Sequence, residues 1–217
     1  MTWRLRPARG WMVELRDWGR HLCFAGLFFY FLTTYGYQSF QVEGTSMMPL
    51  LHDGERIFVN RYIYHFRPIE RGDVVVFWYP PAPTKTLVKR VLALPGDVVS
   101  VREGLLYLNQ GEVAEPYIPG EYRSSDNLPA VTVPPGYYFM LGDHRKNSDD
   151  SRRFGLVPQR YVLGRVALRF WPPETFGVVP HVRVEMPTGR SYEDPAAKLP
   201  GADGEGTGST EAMPAPH

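Results

Sequence analysis

The stretch Leu87–Leu94, LVKRVLAL, decides the fold class: it has the character of a buried β-strand and runs directly into the turn residues Pro95-Gly96-Asp97. Two cations, Lys89 and Arg90, stand inside this apolar pattern. Because side chains alternate between the two faces of a sheet, these cations point to opposite faces. At least one of them must therefore meet an apolar surface, and the alternation does not say which.

A buried lysine has chemical consequences. Burial disfavours the ammonium form and lowers the pKa of the amine. Moving that pKa from about 10.4 to about 7–8 takes roughly 3–5 kcal/mol of differential environment. A neutral Lys89 amine can accept the proton of a neighbouring serine hydroxyl, whereas a lysine on an exposed edge strand has no such role.

The rest of the body consists of short apolar runs separated by turn residues. The runs that predict strands are Arg56–Asn60, Asp73–Tyr79, Leu87–Leu94, Val98–Val101, Leu105–Leu108, Tyr137–Leu141 and Leu163–Phe170. No long helical period occurs among residues 41–186, so we predict a mainly β domain there, an antiparallel barrel or sandwich. The more polar stretch 105–133 predicts a smaller inserted β lobe.

An uncharged run of 19 residues, Leu22–Phe40, precedes this domain. A helix of that length spans roughly 28 Å, close to the thickness of the bilayer hydrocarbon, so we predict a transmembrane helix over 22–40. A buried core helix and the apolar part of a cleaved signal peptide are the alternatives. The bulky flank Thr33–Tyr37 offers no small-residue cleavage site and argues against the latter.

Basic residues before the apolar run set its orientation. Residues 1–21 contain Arg4, Arg6, Arg9, Arg16 and Arg20 against Glu14 and Asp17. This excess predicts a cytoplasmic N-terminal segment at 1–21 and a single-pass protein whose main domain lies outside the cytoplasm. At the other end, the Pro-, Gly- and Ser-rich residues 187–217 predict a disordered tail.

Composition excludes several classes of function. The chain has 24 basic and 23 acidic residues, so no nucleic-acid partner is expected. Cys23 is the only cysteine, which rules out an intrachain disulfide and a cysteine-based zinc site. We expect no metal and no cofactor.

Two polar segments are candidates for chemistry. Gly44–Pro49, GTSMMP, places Ser46 directly after the apolar run, where it is either an exposed nucleophile or an ordinary turn residue. Gly142–Arg153, GDHRKNSDDSRR, follows a predicted strand and is either a solvated turn or a carboxylate–guanidinium–hydroxyl cluster that supports an active site. Its three aspartates argue against a phosphate-binding patch.

Taken in order behind one N-terminal apolar run, these motifs resemble the sequence boxes of bacterial type I signal peptidases. The resemblance covers about residues 15–171 and rests on Gly44–Pro49, Arg71–Phe77, Val88–Val91 with Leu94–Asp97, Glu115–Ile118 and Gly142–Arg152. It implies a mainly β fold with an inserted lobe. It also implies a serine endopeptidase that removes signal peptides from exported preproteins without a metal or cofactor.

The resemblance also assigns roles. Ser46 matches the nucleophile, Lys89 the general base, and Ser148 a hydroxyl that positions the lysine amine. Asp150 and Arg152 match a supporting salt-linked pair. Weaker structural matches are Asn147, Asp143 and Arg145.

Partners and location follow from the same resemblance. It implies signal-peptide-bearing preproteins with Ala-x-Ala-type cleavage sites, the lipid bilayer, and the protein-export machinery nearby. The catalytic domain is expected on the extracytoplasmic side of the cytoplasmic membrane, or of an organellar membrane of bacterial descent.

The oxyanion hole departs from part of the family. Some members carry a serine two positions before the nucleophile, where this chain has Gly44. The Ser46 backbone N–H is then the one assigned donor. A missing second donor costs about 3–4 kcal/mol of transition-state stabilisation unless the flexible backbone at Gly44 or the Thr45 hydroxyl replaces it.

Three other readings remain open. A Ser–His–Asp hydrolase would use His144 with Asp143 or Asp150. A specialised peptidase, for example one that matures conjugative pilin, would keep the Ser/Lys mechanism with a narrower substrate range. A catalytically silent, membrane-tethered binding protein would bind preproteins without cleaving them.

Overall fold

The computed structural model describes residues 11–31 and 37–184, and this part of the chain is mainly β, as predicted. The strands are β1 (Tyr37–Gln41), β2 (Arg56–Asn60), β3 (Val74–Trp78), β4 (Thr86–Ala93), β5 (Val98–Arg102), β6 (Leu105–Leu108), β7 (Gly111–Glu112), β8 (Leu128–Thr132), β9 (Tyr137–Leu141), β10 (Val157–Pro158), β11 (Val162–Trp171) and β12 (Gly177–Val178). The α-helices are α1 (Trp11–Phe31), α2 (Ile63–Phe66) and α3 (Ser151–Phe154). The predicted tail at 187–217 and residues 1–10 of the predicted cytoplasmic segment lie outside the described residues.

The larger sheet is antiparallel throughout and has the strand order β1-β2-β11-β3-β4-β9-β10, with β12 beside β11. All seven predicted strands are confirmed, five of them in this sheet. The strand path is open within the described residues, with β1 at one end and β10 at the other. The sheet therefore leaves β1 with an unpaired edge, next to the site described below.

Strand β3 shows why this sheet forms the centre of the molecule. Its uninterrupted apolar sequence is typical of a strand buried on both faces. Val74 and Val76 pack in a cluster with residues of β2, whereas Val75 and Phe77 pack in a second cluster with residues of β4 and β9. The central strands are consequently held from both sides, and side chains on β4 have fixed positions.

The smaller sheet has the order β7-β6-β5-β8 and is inserted between β4 and β9. Its boundary differs from the prediction, because the range 105–133 leaves out β5. That strand turns back through Glu103 and Gly104 and pairs with both β6 and β8. The two sheets also share one apolar core, which contains Leu92 and Phe139 from the larger sheet and Val99 and Leu106 from the smaller.

The predicted transmembrane helix at Leu22–Phe40 is wrong in its boundaries. The helix α1 begins at Trp11 and ends at Phe31, and Tyr37–Gln41 form strand β1. The absence of charge does not distinguish a helix from a strand, and pairing with β2 places residues 37–40 of the run in a strand. Because α1 includes charged residues in its first half, no helix in the described ranges is both long and apolar enough to cross a membrane.

Candidate active site

The loop after β1 carries Ser46. Gly44 has the left-handed backbone angle φ of +83°, which favours glycine, and its N–H donates a hydrogen bond to Asp53 Oδ1 at 2.6 Å. The next turn is anchored in the apolar core by Met47 and Leu51, which are almost fully buried. Between these two attachments Ser46 is half-buried, and no hydrogen bond from its N–H is present within the described residues.

Lys89 meets Ser46 from strand β4. The lysine is 2% exposed, and its Nζ lies 2.6 Å from Ser46 Oγ. Burial lowers the pKa of Lys89 from its ordinary value of 10.5 to about 8. Three carboxylates act in the opposite direction: Asp150, Asp149 and Asp143. With this pKa about a tenth of the Lys89 amines are neutral at pH 7, far more than for an ordinary lysine, and a neutral amine can take the serine proton.

The polar loop after β9 is built around Asp150. This fully buried carboxylate accepts hydrogen bonds from Arg152 Nε at 2.9 Å and Nη2 at 2.8 Å, and from the Gly142 N–H at 3.1 Å. Burial alone would raise the pKa of Asp150, but the hydrogen bonds from Arg152 hold that pKa below its usual range. The structure thus brings together the predicted pair Asp150–Arg152 and ties both ends of the loop to it.

Ser148 lies beside this pair with its Oγ buried. It helps to hold the pKa of Asp150 low, but no hydrogen bond of standard geometry to its hydroxyl is present within the described residues. The expected hydrogen bond between Ser148 and Lys89 Nζ is therefore not formed in this structure. A Cβ atom on Gly142 would overlap both Ser148 Oγ and the Ser46 carbonyl oxygen, so only glycine lets the two loops pack this closely.

The two loops are also joined by hydrogen bonds. Asn147 Nδ2 donates to Thr45 Oγ1 at 2.8 Å, and the His144 backbone N–H donates to the Ser46 carbonyl at 3.1 Å. His144 Nδ1 lies 3.2 Å from the Thr45 carbonyl oxygen, and its ring packs edge-on against Tyr122. Since amide nitrogen only donates, Thr45 Oγ1 accepts from Asn147 and keeps its own proton for another acceptor.

The geometry gives no support to a Ser–His–Asp triad. The His144 ring contacts the Thr45 carbonyl, and none of its contacts within the described residues is to Ser46 Oγ or a carboxylate. Both candidate aspartates have other partners: Asp143 binds Arg90, and Asp150 binds Arg152.

Two buried ion pairs near Ser46 and Lys89 were not predicted as pairs. Arg90 binds Asp143 through two hydrogen bonds of 2.9 and 2.6 Å, and Arg145 pairs with Glu115. Both cations of β4 are thus buried, and the alternation in its sequence correctly indicated that each faces a different surface. The paired residues lie 53 and 30 positions apart, so no local sequence pattern indicates that they meet. The available signal was that all four residues belong to the family motifs.

A cleft of about 430 Å³ is lined in part by Ser46 and Lys89. One side is Phe40–Glu43 at the end of β1, and the other is Thr84–Lys89 at the start of β4, with Ser46, Met47 and Val76 completing the lining. Each side includes strand backbone, from residues 40–41 of β1 and 86–89 of β4, and β1 is an edge strand. The cleft therefore has the shape and the free edge required to hold a peptide in an extended conformation.

Comparison with known proteins agrees with this geometry. Residues 15–171 match the family described as signal peptidase, peptidase S26. The chain is 39% identical to Probable signal peptidase I-1 of Synechocystis sp. over 63% of this chain and 72% of the relative. It is 35% identical to Signal peptidase I T of Bacillus subtilis, over 72% and 85%, and 34% identical to Signal peptidase IB of Staphylococcus aureus, over 75% and 93%. The chain therefore belongs to the signal peptidase S26 family and is a serine endopeptidase of the signal peptidase I type.

Proposed function

We propose that this protein removes N-terminal signal peptides from exported preproteins by Ser/Lys-dyad catalysis, while tethered to the cytoplasmic membrane. The observation that supports the mechanism most directly is the 2.6 Å separation between Lys89 Nζ and Ser46 Oγ at a buried lysine. Membership of the family supports the substrate class.

Acylation begins with the neutral Lys89 amine. As Ser46 Oγ attacks the carbonyl carbon of the scissile bond, its proton passes to Lys89 Nζ, and a tetrahedral oxyanion forms. The oxyanion collapses to an ester on Ser46, and the new N-terminal amine of the mature protein departs with a proton from the Lys89 ammonium. The lysine is then neutral again.

Deacylation repeats these steps with water. A water molecule gives a proton to Lys89 Nζ as its oxygen attacks the ester carbonyl. The second oxyanion collapses, the C–O bond to Ser46 breaks, and the proton on Lys89 returns to Ser46 Oγ. The cleaved signal peptide leaves with a carboxylate at its new C-terminus.

The oxyanion needs hydrogen-bond donors, and the loop after β1 offers two. The first is the Ser46 N–H, which is not used within the described structure. The second is the Thr45 hydroxyl, because Asn147 occupies its acceptor side and directs its proton elsewhere. Asn147 and Thr45 together would perform the role of the serine that some family members carry at the position of Gly44.

The signal peptide would lie as an extended strand in the 430 Å³ cleft, with its backbone hydrogen-bonded to the edge of β1. Met47, Val76 and Leu87 contribute apolar side chains to the lining. Such a surface accommodates small apolar residues of an Ala-x-Ala-type site close to Ser46.

The membrane tether would be the second half of α1. Its side chains from Leu22 to Tyr30 are all exposed, and Leu22, Phe24 and Phe28 are each at least 65% exposed. Leaving so much apolar surface in water is costly, so lipid is the natural partner. This half is about 14 Å long, roughly half of the hydrocarbon thickness. All 21 residues of α1 extend about 32 Å, and if the whole helix crosses the bilayer, the arginines in and before its first half favour a cytoplasmic N-terminus with the peptidase domain outside the cytoplasm.

Complementation tests the reaction and the substrate class together. Cells depleted of their own signal peptidase should regain preprotein processing when they express the wild-type chain. Ser46→Ala should give no rescue, and Lys89→Ala should behave in the same way. His144→Ala, the matched substitution in the neighbouring loop, should retain most activity.

The alternative functions predict other outcomes. A specialised peptidase would cleave in a purified assay without rescuing general export. A silent binding protein would bind preproteins and cleave none. Normal cleavage by Lys89→Ala would contradict the dyad.

A further inference from the structure

A second cavity, of about 480 Å³, lies on another part of the domain and shares no lining residue with the substrate cleft. Its lining is mixed: Arg61, Tyr62, Tyr64, His65, Arg160, Val162 and Leu163. The charged members are basic, and the last two supply an apolar wall. We propose that this cavity binds the headgroup of an anionic phospholipid, an inference that rests on the proposed membrane tether.

The charge of the cavity favours an anion. The lining contains no Asp or Glu, and neither arginine forms an ion pair within the described ranges. Arg61 makes one long hydrogen bond of 3.4 Å to the neutral Gln38, and Arg160 stacks its guanidinium over the Tyr161 ring at 5.3 Å. Two exposed guanidinium groups thus retain free N–H donors, which suit the oxygens of a phosphate.

Apolar groups beside these cations favour a lipid over a free anion. Phe66 is 86% exposed and Tyr62 is 37% exposed, and both belong to the segment around α2 that forms one wall. An aromatic side chain so exposed next to basic residues is typical of a surface at the level of lipid headgroups. A free phosphate ion would leave Phe66 in water, whereas a lipid gives it acyl chains to contact.

The position of the cavity in the fold agrees with such a surface. Arg61 directly follows β2, whose last residue Asn60 pairs with Tyr37, the first residue of β1. The six peptide steps from Phe31 to Tyr37 can span at most about 22 Å. The end of the apolar half of α1 therefore lies within that distance of this end of the sheet, so lipid around α1 would be close to the cavity.

Binding by two lipids in neutral detergent micelles tests the proposal. The full-length protein is titrated with phosphatidylglycerol or phosphatidylcholine, and bound lipid is counted by native mass spectrometry. We expect wild type to prefer phosphatidylglycerol roughly tenfold or more. The double variant Arg61→Gln/Arg160→Gln should lose that preference, and Arg61→Lys/Arg160→Lys should keep most of it. The matched control, Arg56→Gln/Arg183→Gln, removes two exposed arginines elsewhere and should bind like wild type.

Three results would overturn the proposal: no preference in wild type, an equal loss in the control variant, or displacement of the lipid by inorganic phosphate at the same concentration. The last result would indicate a site for small anions. Cleavage of a soluble signal peptide is measured in parallel and should be unchanged in Arg61→Gln/Arg160→Gln, which shows that this variant folds. If the peptidase function itself is wrong, wild type cleaves nothing while its lipid preference is unaffected, so the two failures are distinguishable.

Discussion

The Nζ atom of Lys89 lies 2.6 Å from the Oγ atom of Ser46, although 43 positions of chain separate the two residues. The contact requires a central strand that buries the lysine and a loop that brings the serine to it. Each half is fixed by packing unrelated to chemistry: β4 by its neighbours β3 and β9, and the loop by Met47 and Leu51 in the core.

The pH dependence of cleavage should report this contact. In the proposed mechanism Lys89 acts as a base only when it is neutral, and burial lowers its pKa to about 8. We therefore expect kcat/KM for a soluble peptide substrate to rise with pH, to reach half its maximum near pH 8 and to level off above about pH 9.

Asp149→Asn tests whether Lys89 is the group that produces the rising limb of this pH profile. The Asp149 carboxylate is exposed and favours the Lys89 ammonium, so its removal should move the limb to lower pH. Glu112→Gln removes an exposed carboxylate from the smaller sheet and serves as the control. A limb that does not move in Asp149→Asn, or that moves equally in the control, would assign the titration to another group.

The stability of the protein should improve when Lys89 is replaced by an apolar residue. Below about pH 8 the folded protein holds a buried ammonium, and a drop in pKa from 10.5 to about 8 corresponds to about 3 kcal/mol. Lys89→Met should therefore be inactive but more stable than wild type at pH 7 by up to that amount, as measured by urea denaturation. Lys85→Met removes an exposed lysine just before the same strand and should change the free energy of unfolding little.

The sign of the pH dependence follows from proton binding. Between pH 8 and 10.5 the unfolded chain binds more protons at Lys89 than the folded chain does, so wild-type stability gains from rising pH in that window. The advantage of Lys89→Met should shrink over the same range. An advantage that stays constant up to pH 11 would mean that it comes from packing instead of charge.

Much of the fold was predictable because it depends on local patterns. Strands such as β6 and β9 have the predicted bounds, since short apolar runs between turn residues are read directly from the sequence. Strand β1 was missed because its residues extend an uncharged run, and only pairing with β2 shows them to be extended. Strand β5 was predicted, but its membership of the smaller sheet is set by pairing with β6 and β8, and its pairing with β8 is nonlocal.

The candidate site was likewise predictable where local sequence patterns determine it, and not where contacts between distant residues do. The alternation in β4 placed Lys89 and Arg90 on opposite faces, but it did not show that both are buried, because the partner that neutralises Arg90 is 53 positions away. The contact between Asn147 and Thr45 was likewise invisible, since it joins loops 102 positions apart. The order of the motifs in the sequence identified the residues of the site, whereas their contacts are known only from the structure.

The buried pair Arg90–Asp143 should be essential for stability. Each side chain is almost fully buried, and removing one partner leaves the other charge without compensation. Asp143→Ala should lower the free energy of unfolding by about 3–5 kcal/mol. The double variant Arg90→Met/Asp143→Leu should be less destabilised than Asp143→Ala, because no unpaired charge remains. If the double variant lowers the free energy of unfolding by as much as Arg90→Met and Asp143→Leu do in sum, the two side chains are not energetically coupled.

The Thr45 hydroxyl should act as the second oxyanion donor. Thr45→Val keeps the shape of the side chain but removes the donor, so kcat should fall about 10²-fold with little change in KM. Thr45→Ser keeps the donor and should retain most activity. Asn147→Ala leaves the Thr45 hydroxyl in place but free to rotate, so it should lower kcat less than Thr45→Val does. The double variant Thr45→Val/Asn147→Ala should have a kcat close to that of Thr45→Val alone. Circular dichroism confirms that each variant is folded. Full activity in Thr45→Val would leave the Ser46 N–H as the one donor from this loop.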